Sequence, residues 1–246
     1  MPFKTAEGFL LRARPLGEAD QILVFLTASE GRLSGIAHSS RRSRRRFGGA
    51  LQPLSHVRLT YFEREGRELA RIDQCDLLRS FFKVQQDLRT ASYLSYLAEL
   101  SEEFSRERQE DERFFRLLLA TLGAVEAGAD PAWAVRYFEL WTLRLHGLLP
   151  DLTACVRCGA GTGGGALVEA SVRGLLCSAC GASHAGPRVA AAVLSHLGGF
   201  LKLPPTAATG SDPLLVPCEE FLQTLLTGFT ERPFRSLRVL REMGVR

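Results

Sequence analysis

Several common sequence features are missing from this chain, and each absence narrows the class of protein. No stretch reaches the roughly 18 uncharged apolar residues of a membrane-spanning helix, so none is predicted. The first residues, Met1 to Leu11, include Lys4 and Glu7 and have no apolar core of the kind that a secretion signal needs. Without such a signal, closely paired cysteines are typical of reduced thiols, and we expect a cytoplasmic protein.

Recognisable catalytic motifs are missing as well. The chain has no Walker-type phosphate loop, no dinucleotide-binding glycine fingerprint and no Gly-x-Ser-x-Gly elbow. The five histidines are scattered and have no acidic partner at metal-ligand spacing. Paired acids at Glu102-Glu103 and Glu110–Glu112 fall at predicted helix ends and faces, where solvated charge is expected. We therefore expect a protein that is not an enzyme, and a metal-dependent nuclease is the weaker alternative.

Four cysteines in two close pairs are the most informative feature that is present. Cys155 and Cys158 form one pair, Cys177 and Cys180 form the other, and a glycine follows each pair. The pair spacing and the length between the pairs are typical of one tetrahedral zinc ion held by four thiolates. Such a shell leaves no position for water, so we expect one structural Zn²⁺.

Other readings of the cysteines stay open. Iron has the same tetrahedral sulfur geometry. Disulfides or a thioredoxin-like redox pair are further alternatives, although a redox pair needs a cysteine at a helix start. His184 lies close after Cys180 and could replace it as a ligand.

Positive charge is concentrated near the beginning of the chain. The formal net charge is +4, and only three of the 31 basic residues are lysines. The densest run holds Arg41, Arg42, Arg44, Arg45 and Arg46, between two predicted strands. Five buried guanidinium groups would cost too much desolvation energy, so the run predicts a flexible cationic loop that binds phosphate.

Several nearby residues could extend such a nucleic-acid surface. Arg12, Arg14, Arg32 and Arg58 lie on predicted strands or at their ends. Phe47, Tyr61 and Phe62 could stack on bases, although aromatic residues of this kind are more often part of a core. A basic loop also attracts other polyanions, so a zinc-stabilised scaffold that binds an acidic protein remains an alternative.

Hydrophobic periodicity predicts an α+β chain of several domains. Residues 1–80 alternate like about five short strands, with Leu69–Ile72 the last, and predict a small closed barrel or a sandwich. Helical spacing begins near Val84 and returns at Glu112–Ala127, at Pro131–His146 with Asp130 as N-cap, at Pro187–Leu197, at Leu214–Phe229 and at Phe234–Met243. The predicted domains are 1–80 as the barrel, 81–150 and 187–246 as two parts of a helical bundle, and 151–186 as the inserted zinc module.

The order of several short motifs resembles the RecO family of bacterial recombination mediators. The matching stretches are Gly17–Asp20, Phe25–Thr27, Glu30–Leu33, Arg41-Arg42, Phe47–Pro53, Phe138–Leu140, Gly147–Pro150, Cys155–Gly159 and Arg232–Leu240. The resemblance implies an N-terminal oligonucleotide-binding (OB) fold and a non-enzymatic role in DNA repair at the nucleoid. It further implies binding of single- and double-stranded DNA, annealing of complementary strands, and cooperation with RecR to load the RecA recombinase onto DNA covered by single-strand binding protein.

Overall fold

The structure is a computed structural model that describes residues 3–63, 66–169, 174–207 and 212–244. The strands are β1 (Lys4–Leu16), β2 (Asp20–Thr27), β3 (Gly31–Ala37), β4 (His56–Phe62), β5 (Ala70–Arg79), β6 (Ala166–Glu169), β7 (Gly174–Cys177) and β8 (Arg188–Val189). The helices are α1 (Arg44–Phe47), α2 (Leu88–Phe104), α3 (Glu112–Glu126), α4 (Pro131–Leu145), α5 (Ala191–Phe200), α6 (Leu215–Thr230) and α7 (Arg235–Glu242). None of the helices in these ranges is long and apolar enough to cross a membrane.

The chain divides into two units. The first contains Met1–Glu126 and Phe234–Arg246, and the second contains Ala127–Pro233. The first therefore holds the five N-terminal strands with α2, α3 and α7, and the second holds the cysteine pairs with α4, α5 and α6. The four segments predicted from the sequence pattern stay a prediction.

Five strands of the first unit close into a barrel in the order β1-β2-β3-β5-β4. Neighbouring strands are antiparallel except β3 and β5, which pair in parallel from Gly35 to Ala37. β4 returns to β1 and closes the ring. The barrel is OB-like, and the predicted α+β class is confirmed.

The barrel interior takes one face of each strand. Its buried side chains belong to Ala6, Leu10, Leu23, Phe25, Leu33, Ala37, Val57, Leu59, Tyr61, Ala70, Ile72 and Cys75. The simple alternation predicted for β1 is wrong in detail, because a register shift between Leu10 and Arg12 puts Leu10 and Ala13 on the interior side. Phe9 is buried on the opposite side of β1, where its ring lies 5.1 Å from that of Phe115 on α3.

The last barrel strand is longer than predicted. β5 continues past Ile72 to Arg79, through a stretch that includes Asp73 and Asp76. Because these residues are polar, hydrophobic alternation alone does not predict this part of the strand. Pairing with β4 from His56 to Phe62 supplies the hydrogen bonds that keep the stretch extended.

A short connector between α2 and α3 lies against the barrel. The N–H of Arg32 donates to the carbonyl of Arg106 at 2.9 Å, and the N–H of Arg108 donates to the carbonyl of Arg32 at 3.1 Å. Gly31 makes this approach possible, because a Cβ there would lie 1.9 Å from the carbonyl oxygen of Gln109. The connector thus continues the pairing of β3 where β5 does not reach.

Helix boundaries in the second unit follow their capping residues. Asp130 is the N-cap of α4, and its Oδ1 accepts the N–H groups of Ala132 at 2.9 Å and Trp133 at 3.1 Å, as predicted. Gly147 lies just beyond α4 with φ +68°, which fits the predicted helix end. The helix predicted from Pro187 is wrong at its start, because Arg188–Val189 pairs with β6 and α5 begins at Ala191.

A buried ionic network joins α4 to α6 within the second unit. Arg136 is 1% exposed, and its Nε lies 2.9 Å from Oε2 of Glu139. Its Nη1 lies 2.9 Å from Oε2 of Glu219, and Gln223 donates to Oε1 of Glu139 at 2.6 Å. Charge pairing and hydrogen bonding are both needed to offset the desolvation of such buried groups.

Candidate nucleic-acid interface and candidate metal centre

The arginine run occupies the connection between β3 and β4, and we call residues 38–46 the arginine segment. Its end forms the four-residue helix α1, and Phe47 at the end of that helix is 1% exposed in the barrel core. The segment is therefore anchored to the barrel by Phe47, the residue that immediately follows it. This differs from the flexible loop that the charge density predicted, because a run of like charges does not reveal that the next side chain is a core residue.

The start of the arginine segment is held by the first residues of β2, next to the β1–β2 turn. Ser39 donates its N–H to Oδ1 of Asp20 at 2.8 Å, and Nδ1 of His38 lies 2.7 Å from Oδ2 of the same carboxylate. Ser40, which is buried, donates its hydroxyl to Gln21 at 2.9 Å. The β1–β2 turn is one of two loops through which OB folds commonly bind oligonucleotides.

One arginine of the segment has a mainly structural position. Arg46 donates from Nη2 to the carbonyl of His38 at 2.6 Å and from Nε to the hydroxyl of Ser43 at 3.2 Å. Nη1 reaches the carbonyl of Asp73 on β5 at 3.5 Å. Its guanidinium therefore bridges both ends of the segment and the adjacent strand.

The other four arginines of the segment are exposed. Arg41 donates to the carbonyl of Glu18 at 3.2 Å, and Arg42 lies 3.7 Å from the Glu18 carboxylate, with both of these charged side chains largely in water. The side chains of Arg44 and Arg45 have no hydrogen bond or ion pair within the described ranges. Four guanidinium groups are thus presented to solvent beside one another.

The four additional arginines predicted for this surface differ in their surroundings. Arg12 lies 2.5 Å from a carboxylate oxygen of Glu102, and Arg32 donates to Glu107 at 3.0 Å. Arg58 pairs with Glu7 at 3.1 Å, whereas Arg14 is exposed near the end of β1. Burial is the main cause that raises the pKa of Glu102, and the neighbouring arginines oppose it. The structure therefore does not bring these four together with the arginine segment as one free cationic face.

One exposed arginine on β5 was not predicted from the sequence. Arg71 stands between the buried Ala70 and Ile72 and is paired with Ile36 on β3. Its guanidinium lies 5.3 Å from the ring centre of Phe62. Alternation with two apolar neighbours was the signal that could have placed it on the outer face.

Aromatic stacking on bases has little support among the three candidates. Phe47 and Tyr61 are each 1% exposed inside the barrel core. Phe62 is half-buried and packs edge-on against Phe3. The core reading of Phe47 and Tyr61 is therefore the correct one.

Both cysteine pairs converge in the second unit. One sulfur from each of Cys155, Cys158, Cys177 and Cys180 lies within 4.8 Å of every other. The Sγ atoms of Cys158 and Cys177 are 3.8 Å apart. Sulfurs that share a tetrahedral zinc ion, each about 2.3 Å from it, stand about 3.8 Å from one another, so the cluster has the size for such an ion.

The two turns that carry the cysteines are built alike. Gly159 donates its N–H to the carbonyl of Cys155 at 2.9 Å, and Gly181 donates to that of Cys177 at 2.8 Å. Gly159 has φ +73°, a left-handed conformation that favours glycine. At Gly181 the reason is different, because a Cβ there would lie 3.2 Å from the carbonyl oxygen of Cys177.

The thiol chemistry also fits a cation. The backbone N–H of Cys177 is the main cause that lowers the pKa of Cys155 to about 6. Hydrogen bonding with Cys158, followed by burial, raises the pKa of Cys180 to about 12. Four thiolates in so small a space repel one another, whereas a bound divalent cation stabilises all of them.

The structure argues against two of the alternatives for the cysteines, a thioredoxin-like redox pair and His184 as a ligand. All four are free thiols, and neither pair stands at the start of a helix in the described ranges, as a thioredoxin-like pair would. His184 is not part of the cluster, because Nε2 lies 3.0 Å from Arg157 and Nδ1 lies 3.4 Å from the Ser183 hydroxyl.

An OB-like barrel with an exposed arginine segment, in one chain with a four-cysteine cluster, defines a class of α+β protein without a recognisable catalytic motif. Comparison with known proteins narrows the class. The family model described as Recombination protein O N terminal matches residues 1–81, and Recombination protein O C terminal matches residues 85–238. The chain belongs to the RecO family, and its role lies in DNA repair and recombination.

Curated relatives agree over most of the chain. The DNA repair protein RecO of Anaeromyxobacter sp. (strain K) is 38% identical over 244 residues, covering 96% of this chain and 95% of the relative. The DNA repair protein RecO of Koribacter versatilis (strain Ellin345) is 42% identical over 176 residues, or 71% of each chain. That of Symbiobacterium thermophilum is 36% identical over 184 residues, covering 73% of this chain and 72% of the relative.

Proposed function

We propose that this protein is a non-enzymatic recombination mediator that binds single- and double-stranded DNA and anneals complementary strands. The observation that carries the proposal is the exposure of Arg41, Arg42, Arg44 and Arg45 beside the β1–β2 turn of the barrel. Guanidinium groups suit phosphate because their planar fork can donate two hydrogen bonds to it.

Annealing follows from the same charge. Two complementary strands repel each other through their phosphates, and a cationic surface reduces that repulsion while the bases remain free to pair. Contacts to phosphate carry no sequence information, so one surface serves any pair of complementary strands. A mediator of this kind needs neither a nucleophile nor an open metal position.

The proposal includes partners that the family resemblance implies. These are a RecR-like protein, single-strand binding protein and the RecA recombinase, with the protein acting at the nucleoid in the cytoplasm. The expected outcome is that a RecR-like protein and this chain together speed RecA loading onto covered single strands, while either alone does not.

The test of DNA binding compares two double variants with the same loss of charge. Arg44→Ala with Arg45→Ala removes two exposed arginines of the segment. Arg113→Ala with Arg116→Ala removes two exposed arginines of α3 and is the matched control. We expect the first variant to lose about 1–3 kcal/mol of oligonucleotide binding and to anneal more slowly, while the control stays near wild type.

If the two double variants weaken oligonucleotide binding equally, the arginine segment is not the interface. Binding that persists for acidic proteins but not for oligonucleotides would favour the scaffold function. Both outcomes are read from fluorescence anisotropy with labelled oligonucleotides and with an acidic peptide.

We further propose that the four cysteines hold one structural Zn²⁺. The sulfur spacing and the thiol chemistry support a cation, and a four-sulfur shell leaves no coordination position for a reacting water. Metal analysis of protein purified without chelator should give about one zinc per chain. Iron in place of zinc, or no metal at all, would contradict this proposal.

A further inference from the structure

Asp20, the first residue of β2, contacts the first residues of the arginine segment. Both carboxylate oxygens are used, Oδ1 by the N–H of Ser39 at 2.8 Å and Oδ2 by Nδ1 of His38 at 2.7 Å. The Ser39 N–H, and then His38, lower the pKa of this carboxyl, so it is charged at neutral pH. An acidic group is thus fixed at the base of a cationic surface.

The residue that Asp20 holds is the point where the chain bends. Ser39 has φ +54°, a left-handed conformation that residues with a side chain adopt only when their surroundings impose it. The carbonyl of Ser39 then accepts the N–H groups of Arg42 at 3.1 Å and Ser43 at 3.0 Å. The direction in which the segment leaves β3 therefore depends on the Asp20–Ser39 hydrogen bond.

Further contacts from the β1–β2 turn and from β2 support this bend. The carbonyl of Ala19 accepts the N–H of Arg41 at 3.1 Å, and Gln21 accepts the hydroxyl of Ser40 at 2.9 Å. Of these groups, Asp20 alone carries a full charge and binds two residues. It therefore holds the first two residues of the segment, His38 and Ser39, through one charged group.

We propose that Asp20 is a positioning residue for DNA binding, which fixes the bend at Ser39 so that the exposed arginines are presented together. The proposal rests on the proposed function, since it concerns the same arginine segment. The proposal predicts the opposite change in DNA affinity from the one that charge alone predicts. Removing a negative charge near a phosphate-binding surface should strengthen binding, whereas loss of a positioning residue should weaken it.

Asp20→Ala and Asp20→Asn are compared with Glu18→Ala. Glu18 lies in the adjacent β1–β2 turn, has a carboxylate near Arg42 and is 93% exposed, so its removal tests the effect of charge alone. Asn keeps an oxygen that can accept the Ser39 N–H but loses the second acceptor for His38. The affinity for a labelled single-stranded oligonucleotide is measured by anisotropy across a series of NaCl concentrations.

We expect Asp20→Ala to weaken binding about tenfold and Asp20→Asn about threefold, because a charge-assisted hydrogen bond is lost in full or in part. The salt dependence of Asp20→Ala should become shallower, since fewer phosphates are contacted at once. Glu18→Ala should bind at least as tightly as wild type. If Asp20→Ala changed only protein stability, the salt dependence of oligonucleotide binding by the folded protein would not change.

Asp20→Ala binding that equals or exceeds that of wild type would overturn the positioning role while leaving the proposed function intact. If Asp20→Ala loses hydrogen-exchange protection in β2 and β3, Asp20→Asn decides the question by the same criterion. A wild-type chain that binds no oligonucleotide contradicts the proposed function itself, and the positioning role falls with it.

Discussion

Replacing Phe47 with alanine tests whether the arginine segment is fastened to the barrel core. The ring is 1% exposed and belongs to the same buried cluster as Leu33 and Tyr61. Removing a buried phenyl group costs about 1.5–3 kcal/mol in lost burial. A remaining cavity of about 80 Å³ adds about 2 kcal/mol, so the expected destabilisation of the barrel is about 3–5 kcal/mol.

The assay is urea-dependent hydrogen exchange of peptides from β2 and β3, because both tryptophans lie outside the barrel and would not report on it. Phe82→Ala is the matched control, since Phe82 is 49% exposed and its loss should cost less than about 1 kcal/mol. The same exchange experiment should show earlier opening of residues 38–46 in Phe47→Ala. A loss of barrel stability no greater than that of Phe82→Ala would refute the reasoning.

Two further predictions concern the barrel. Gly31→Ala should cost about 1–3 kcal/mol more stability than Gly17→Ala. Both glycines have positive φ, but only at Gly31 would a Cβ lie against the carbonyl of Gln109. Equal losses of hydrogen-exchange protection in β3 would contradict this. His56 has a pKa lowered from 6.5 chiefly by burial, so its contribution to stability is fully present above about pH 6.5 and is lost as the pH falls towards the folded value. His56→Gln should flatten the fall in stability between about pH 7 and pH 5, and an unchanged profile would count against a buried neutral imidazole.

Much of the fold was predictable because its determinants are local. Alternation within residues 1–80 predicted about five short strands and a barrel or a sandwich, and the Asp130-Pro131 pair predicted the start of α4. The register shift in β1, the polar end of β5 and the two-residue strand β8 depend on pairing with distant strands. Sequence periodicity carries no information about such partners.

The candidate sites divide in the same way. The cysteine cluster was predictable because two short turns bring each pair together, and the convergence of the pairs follows from their spacing. The exposed arginines were predictable as a charge run, but the contact of Arg46 with Asp73 and the pairing of Arg12 with Glu102 join residues far apart in sequence. A positioning role for Asp20 was not predictable for the same reason, because its partners His38 and Ser39 lie beyond β3.

Salt dependence of oligonucleotide affinity tests the central claim most directly. For wild type, the logarithm of the affinity should fall steeply with the logarithm of the NaCl concentration, and replacing Arg41, Arg42, Arg44 and Arg45 with alanine should reduce that slope by about 2–3 on single strands. An affinity that does not change with salt, or a slope that is the same in both proteins, would contradict phosphate capture by the arginine segment.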